Sequence, residues 1–340
     1  MLKISSAPHI TSPIDTKSLM RDVVIALMPA LVAAVIFFGL GALKVIITSV
    51  AACVLCEYSI NKYLLHRPNT ITDYSAIITG LLLAFNLPSN FPIWMILIGA
   101  FVAIGITKMA FGGLGQNLFN PALVGRVFLF ISFPQQMTIW PVPQPGVFNN
   151  LDAETGATTL GIIKHLDAVT SSSYLIEGSS AMNKYATSVA NVPSYFDMFI
   201  GNIGGCLGEI SALALLIGFA YLLYRRVISW HIPFYYISTV FLIMSIMWLV
   251  QKEACYDPLA HLLSGGLLLG AIFMATDYVT SPVTPKGKVV FAVGCGILTV
   301  IIRIYGAYPE GVSFAILIMN AFVPMIDRYT APRIFGSGRK

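Results

Sequence analysis

Residues 21–60 read RDVVIALMPALVAAVIFFGLGALKVIITSVAACVLCEYSI, and only Arg21, Asp22, Lys44 and Glu57 among them are charged. A helix crosses the hydrocarbon core of a bilayer in about 20 mostly apolar residues. The stretch is therefore two spans, at 21–40 and 42–60, parted only by the glycine-containing residues 39–41. Working outward, eight further spans are predicted at 71–88, 92–110, 118–134, 208–225, 230–250, 260–276, 288–305 and 311–327. The whole chain agrees. Of its 340 residues 57% are apolar and 10% charged, with a mean hydropathy of +0.81. Soluble domains carry about 25% charged residues, so this composition excludes a water-soluble enzyme and a disordered chain. Five cysteines are few and odd in number, which excludes a disulfide scaffold. The expected fold class is all-α, a polytopic membrane protein of about ten transmembrane helices.

The spans divide five and five. Residues 1–20 are polar, without a cleavable signal pattern, and read as a cytoplasmic arm. Residues 21–134 form a first five-helix repeat and 208–327 a second, with a cytoplasmic tail at 328–340. Between the repeats lies one long polar segment, 135–207, rich in Pro, Ser, Thr and Asn. With the N-terminus inside, inner segments hold 14 of the 20 basic residues; outer segments hold only Lys44, Lys164, Lys184 and Lys252. The positive-inside rule then places both termini in the cytoplasm and 135–207 outside. Gly80-Leu81-Leu82-Leu83 recurs as Gly266-Leu267-Leu268-Leu269. Halves with an odd number of spans run in opposite directions, so the expectation is an inverted repeat, which places ligands where broken helices meet.

Three stretches carry chemistry. Asp152-Ala153-Glu154-Thr155-Gly156-Ala157-Thr158, on the outer segment, fits D-x-x-[ST]-G-A-[ST]. That pattern resembles the target of periplasmic flavin transferases, which move FMN from FAD onto the last hydroxyl as a phosphodiester. Thr158 supplies the nucleophile, Thr155, Gly156 and Ala157 are small enough to enter a cleft, and Asp152 can orient the segment or a metal. A plain turn is the alternative, since these residues form turns. The cluster Asp167-Ala168-Val169-Thr170-Ser171-Ser172-Ser173 mimics the motif but lacks Gly-Ala. The second stretch, Phe111-Gly112-Gly113-Leu114-Gly115-Gln116-Asn117-Leu118-Phe119-Asn120-Pro121-Ala122, describes a broken helix whose freed amides need partners. Asn117 and Asn120, three apart, are expected on one helix face, with amides that both donate and accept; a packing corner with capping asparagines is the alternative. The third runs from His261 to Pro282 and contains Asp277, which with Asp73 marks the inner ends of two spans. Membrane-edge acids are functional candidates or interface caps. Cys53 and Cys56, inside an apolar helix, read as inert buried thiols; no metal site is expected.

Taken together, the Ser-Ala-Pro arm at 6–8, the FGGLGQNLFNPALVGR run, the TGAT motif, the ATDYVTSP run and Pro324-Met325-Ile326-Asp327 resemble the RnfD component of Rnf complexes. These membrane assemblies pass electrons between ferredoxin and NAD and couple this to sodium or proton export. The related NqrB component of the sodium-pumping NADH:quinone reductase shares the motifs but usually has a longer N-terminal extension. The resemblance implies an inverted five-plus-five fold like that of urea transporters and residence in a bacterial cytoplasmic membrane. It implies covalent FMN on Thr158 and a non-covalent riboflavin or FMN near Gly113, Asn117 and Asn120. The implied partners are the iron–sulfur and flavin components of the complex, a flavin transferase and membrane lipid, with no nucleic acid. It implies a share in a redox-driven translocase without a complete active site on this chain. Thr159 stands where a Pro often follows the flavinylated Thr, a departure expected to alter local rigidity. Two readings of other classes are a non-redox channel of urea-transporter type and a scaffolding component.

Overall fold

The computed structural model describes residues 15–66, 70–143, 155–164, 192–250, 257–306, 308 and 310–332. The segments 1–14, 144–154 and 165–191 lie outside the described residues, as does most of the tail; with them lie Asp152 and the hydroxyl cluster at 167–173. The described chain is helical. Its one strand pair is short, Trp140–Pro141 antiparallel to Thr155–Gly156.

Each predicted span contains a helix. They are α1 (Thr16–Ser59), α2 (Ser75–Phe85), α3 (Ile93–Met109), α4 (Pro121–Ser132), α5 (Ala212–Tyr224), α6 (His231–Val250), α7 (Leu267–Leu269, continued by a π-helical turn at Gly270–Met274), α8 (Pro285–Tyr305) and α9 (Val312–Thr330). Stretches Thr16–Leu64, His231–Val250, Pro285–Tyr305 and Val312–Thr330 are long and apolar enough to cross a membrane.

The first of these stretches doubles back. Straight, the 44 residues of α1 would set positions 17 and 57 about 60 Å apart. Instead Lys17 lies over the Tyr74 ring, and Glu57 is joined through Lys108 to the adjacent Ser75. The chain reverses at Gly39, whose φ of 57° and ψ of −139° leave the helical region in a conformation open to glycine. The two predicted spans are thus the two arms of one hairpin. The first arm runs along α5: Asp22 accepts from Tyr221 and pairs with Arg225, and Gly218 packs against the Ala26 carbonyl. The second runs along α2, where the Ser49 hydroxyl donates to the Gly80 carbonyl at 2.8 Å. Small residues allow these close approaches, as expected where lipid gives no hydrophobic drive for helix association.

Helices α2 and α4, with 11 and 12 residues, are about half a bilayer long. Both end inside the bundle. Asn86, just past α2, donates to its own helix at Leu82 and meets the Met274 sulfur at the end of α7, at 3.8 Å. The two Gly-Leu-Leu-Leu stretches therefore lie on short helices whose C-terminal ends meet in the interior. The gap beyond α2 is filled by 201–211, whose Leu207 and Gly208 amides donate to the Leu87 and Phe85 carbonyls.

Adding a Cβ at Gly218 drives it into the Ala26 carbonyl, which is backbone and cannot yield; at Gly294 it meets only the flexible end of Met319. Gly218→Ala is expected to destabilise the detergent-solubilised protein by about 1–3 kcal/mol, the usual range for overpacking. Gly294→Ala should lie close to wild type, both read by thermal unfolding.

Candidate functional site: two cavities along one short helix

Two cavities open at opposite ends of α4. The first is lined by Ser75, Lys108, Asn117, Asn120, Asp277 and Phe273, among others. Its floor is the broken stretch 111–120. Gly112, Gly113 and Gly115 all have positive φ, between 90° and 115°, so the chain cannot be helical there. Asn117 thus lies on irregular backbone, and the expectation that it shares a helix face with Asn120 is corrected. The glycines nevertheless bring both amides to the same cavity. Asn120 caps α4: its Oδ1 accepts from the Ala122 and Leu123 amides, and its Nδ2 donates to the Met274 carbonyl at 3.2 Å. Pro121 at the first helical position needs no amide partner. Asn117 differs. It is 8% exposed, and its Oδ1 has no hydrogen-bond partner. A buried, unpaired acceptor is costly and calls for a donor from an occupant.

Beside it stands Lys108, 2% exposed, whose ammonium donates to Glu57 Oε2 at 2.5 Å and Ser75 Oγ at 2.7 Å. Thr70 donates to the other Glu57 oxygen. In sequence Lys108 is one basic residue among those of the inner segments; the structure makes it a buried ion-pair partner. Asp277 lies on the cavity wall and accepts from Thr280 Oγ1 at 3.1 Å, whereas Asp73 ends a 3₁₀ turn just before α2 and does not line the cavity. Gly113 has open space at its Cα and does not line the cavity.

The second cavity is lined by Arg126, Phe130, Trp140, Thr158, Glu310 and Phe314, among others. At its base Arg126 pairs with Glu310 and donates to Asn86 Oδ1 at 2.9 Å and Ser313 Oγ at 2.7 Å. Glu209 accepts from the Cys206 amide at 2.9 Å, and Glu310 from the Gly266 amide at 3.2 Å. Cys206, Glu209 and Glu310 bring their ligand-type atoms within 4.8 Å of one another. The Arg126 guanidinium already occupies Glu310, however, and a positive group in contact opposes a second cation there. Cys53 and Cys56 are free thiols, as are Cys206 and Cys295.

Thr158 sits at the wall of this cavity. The strand pair at 140–141 and 155–156 leads into it, and a helical turn over 159–164 follows. Thr158 Oγ1 accepts from the Gly161 amide at 3.1 Å, and its carbonyl accepts from Ile162 at 2.9 Å. Gly156 and Ala157 are exposed, and Thr155 belongs to the strand pair. Further along, the Lys164 ammonium donates to the carbonyls of Arg303, Gly306 and Tyr308, at and beyond the C-terminal end of α8. Burial lowers this ammonium from the ordinary lysine value.

Sequence reading missed the ionic centre. Arg126 and Arg303 stand out there only as charges near helix ends, and Glu209 and Glu57 as acids near span ends. The available signal was their presence inside otherwise apolar stretches, where a charge must find a partner.

Residues 3–336 match the NQR2, RnfD, RnfE family. The chain is 46% identical over 337 residues to the D-type component of the Na(+)-translocating ferredoxin:NAD(+) oxidoreductase complex of Acetobacterium woodii, covering 98% of this chain and 95% of that one. It is 43% identical to the D-type component of the proton-translocating ferredoxin:NAD(+) oxidoreductase complex of Clostridium ljungdahlii, covering 99% and 96%. To the D-type component of the ion-translocating oxidoreductase complex of Yersinia enterocolitica it is 37% identical, covering 99% of each. By match length and identity together, the chain belongs to the NQR2, RnfD, RnfE family.

Proposed function

We propose that this chain is the D-type membrane component of an ion-translocating ferredoxin:NAD oxidoreductase complex, carrying FMN on Thr158 and a second flavin in the Asn117 cavity. The observation that carries the reading is the placement of Thr158: the last hydroxyl of the flavinylation pattern lies at a cavity walled by Phe130, Trp140 and Phe314. Aromatic faces accept a flat ring by stacking, and the Ser313 hydroxyl, which accepts from Arg126, offers a donor at the closed end. In the other cavity the unpaired Asn117 Oδ1 fits an N–H of a flavin ring, and Lys108, paired with Glu57, lines the same cavity. A bound flavin supplies the electron transfer, and the protein supplies position and electrostatics. Here Asn120 fixes the start of α4, Arg126 closes the base of the outer cavity, and the aromatic walls exclude water.

In this reading the protein resides in a bacterial cytoplasmic membrane, with both termini inside and 135–207 outside. The five-helix halves 21–134 and 208–327 form the membrane body. Neighbouring chains of the complex provide the iron–sulfur centres and the ferredoxin and NAD sites, and a flavin transferase loads Thr158. A passive solute channel is disfavoured by the bonded chain Arg126–Asn86–Met274–Asn120, which links the lining of one cavity to that of the other.

Made together with its transferase, the protein is expected to fluoresce in a denaturing gel, and Thr158→Ala should abolish the band; a band that persists removes Thr158 as the attachment point. Asn117→Leu should leave that band intact. It should weaken retention of the dissociable flavin by about tenfold, the effect of one lost buried hydrogen bond, measured from flavin released after acid precipitation.

A further inference from the structure

We propose that Thr158 is modified before its segment is seated on the bundle, and that Lys164 is the positioning residue that holds the seated state. The inference rests on the reading of Thr158 as the flavinylated residue. In the seated segment Thr158 is 8% exposed, and Thr159, Leu160 and Ile163 are each 3% exposed or less. Leu160 packs on the backbone at Gly265, and the Thr158 oxygen accepts from the Gly161 amide. Transfer requires the Thr158 oxygen to attack the FMN-side phosphorus of FAD. The new O–P bond forms as the pyrophosphate bond breaks, AMP leaves, and the hydroxyl proton passes to a base on the transferase. An enzyme cleft must enclose the hydroxyl and the residues on either side of it. The seated geometry buries Thr158 and the residues after it against the bundle, so seating and modification exclude each other in time.

What keeps the segment seated is apolar burial on one side and a single charge on the other. Lys164 places its ammonium among three carbonyls at and beyond the end of α8. Unpaired carbonyls at a helix C-terminus favour a cation, and the contact spans 139 to 144 residues of sequence. It therefore pins the end of the segment to the second half of the molecule, while the strand pair with Trp140–Pro141 pins its start.

The test uses the full-length protein purified in detergent without prior exposure to a transferase. Transferase, FAD and magnesium are then added, and in-gel flavin fluorescence is followed with time. Wild type is expected to be modified slowly, although the same chain co-expressed with the transferase is modified fully. Lys164→Gln should be modified about tenfold faster, the change in open population that loss of a charge-assisted hydrogen bond gives. Lys164→Arg should restore the slow rate, which a general loss of folding would not. Ile163→Ala loosens the same segment without touching the charge and should also be faster, with monodisperse size exclusion showing that each variant is folded. Wild type modified as fast as Lys164→Gln and Ile163→Ala overturns the inference while leaving Thr158 as the attachment site. A co-expressed wild type with no flavin on Thr158 removes the reading of Thr158 and this inference with it.

Discussion

The ion pair between Arg126 and Glu310 is the constraint on which the rest of the structure depends. Arg126 lies on α4 of the first half and Glu310 just before α9 of the second. A guanidinium inside an apolar bundle is costly unless nearly every donor is used. Here it also reaches Asn86 at the end of α2, Ser313 on α9 and the Cys206 sulfur. One side chain thus ties together two short helices, the segment around Cys206, and the start of the last helix. Irregular backbone at membrane depth is tolerated only where it is buried in protein or lines a cavity, and this network provides those partners.

The same helix sets the spacing of the two cavities. Ala122 lines one and Arg126 the other, about 6 Å apart along the axis of α4. Between them Asn120 holds the Met274 carbonyl while Asn86 meets the Met274 sulfur. A change of charge in either cavity is therefore felt at bonded groups shared with the other. Low dielectric between the two strengthens that coupling.

The fold was largely legible because the bilayer imposes a length on apolar runs, and each of the ten predicted spans holds a helix. What periodicity and length do not reveal is where a span is broken. The regions 75–85 and 267–274 look like ordinary spans in sequence; the meeting of their ends depends on Asn86 and Met274, 188 residues apart. For the candidate site, the glycines of 112–115 announced a broken helix, and the cavity at Asn117 and Asn120 follows from it. The geometry still departed from expectation, since positive φ at three glycines takes Asn117 off the helix. Glu57, Glu209, Arg126 and Arg303 were visible as charges, but their partners come from distant segments and no local pattern encodes such pairing. The proposal for Thr158 rests on a short motif, and such a motif is legible in sequence because an attachment signal is local.

The turn at Gly39 has a further consequence. Because the reversal occupies so little chain, the first two arms share no separate connecting loop: Phe38 and Ala42 on either side of the turn are buried, and Leu40 between them is 52% exposed. A tag inserted at that end of the hairpin has no loop to lengthen and must interrupt one of the two helical arms.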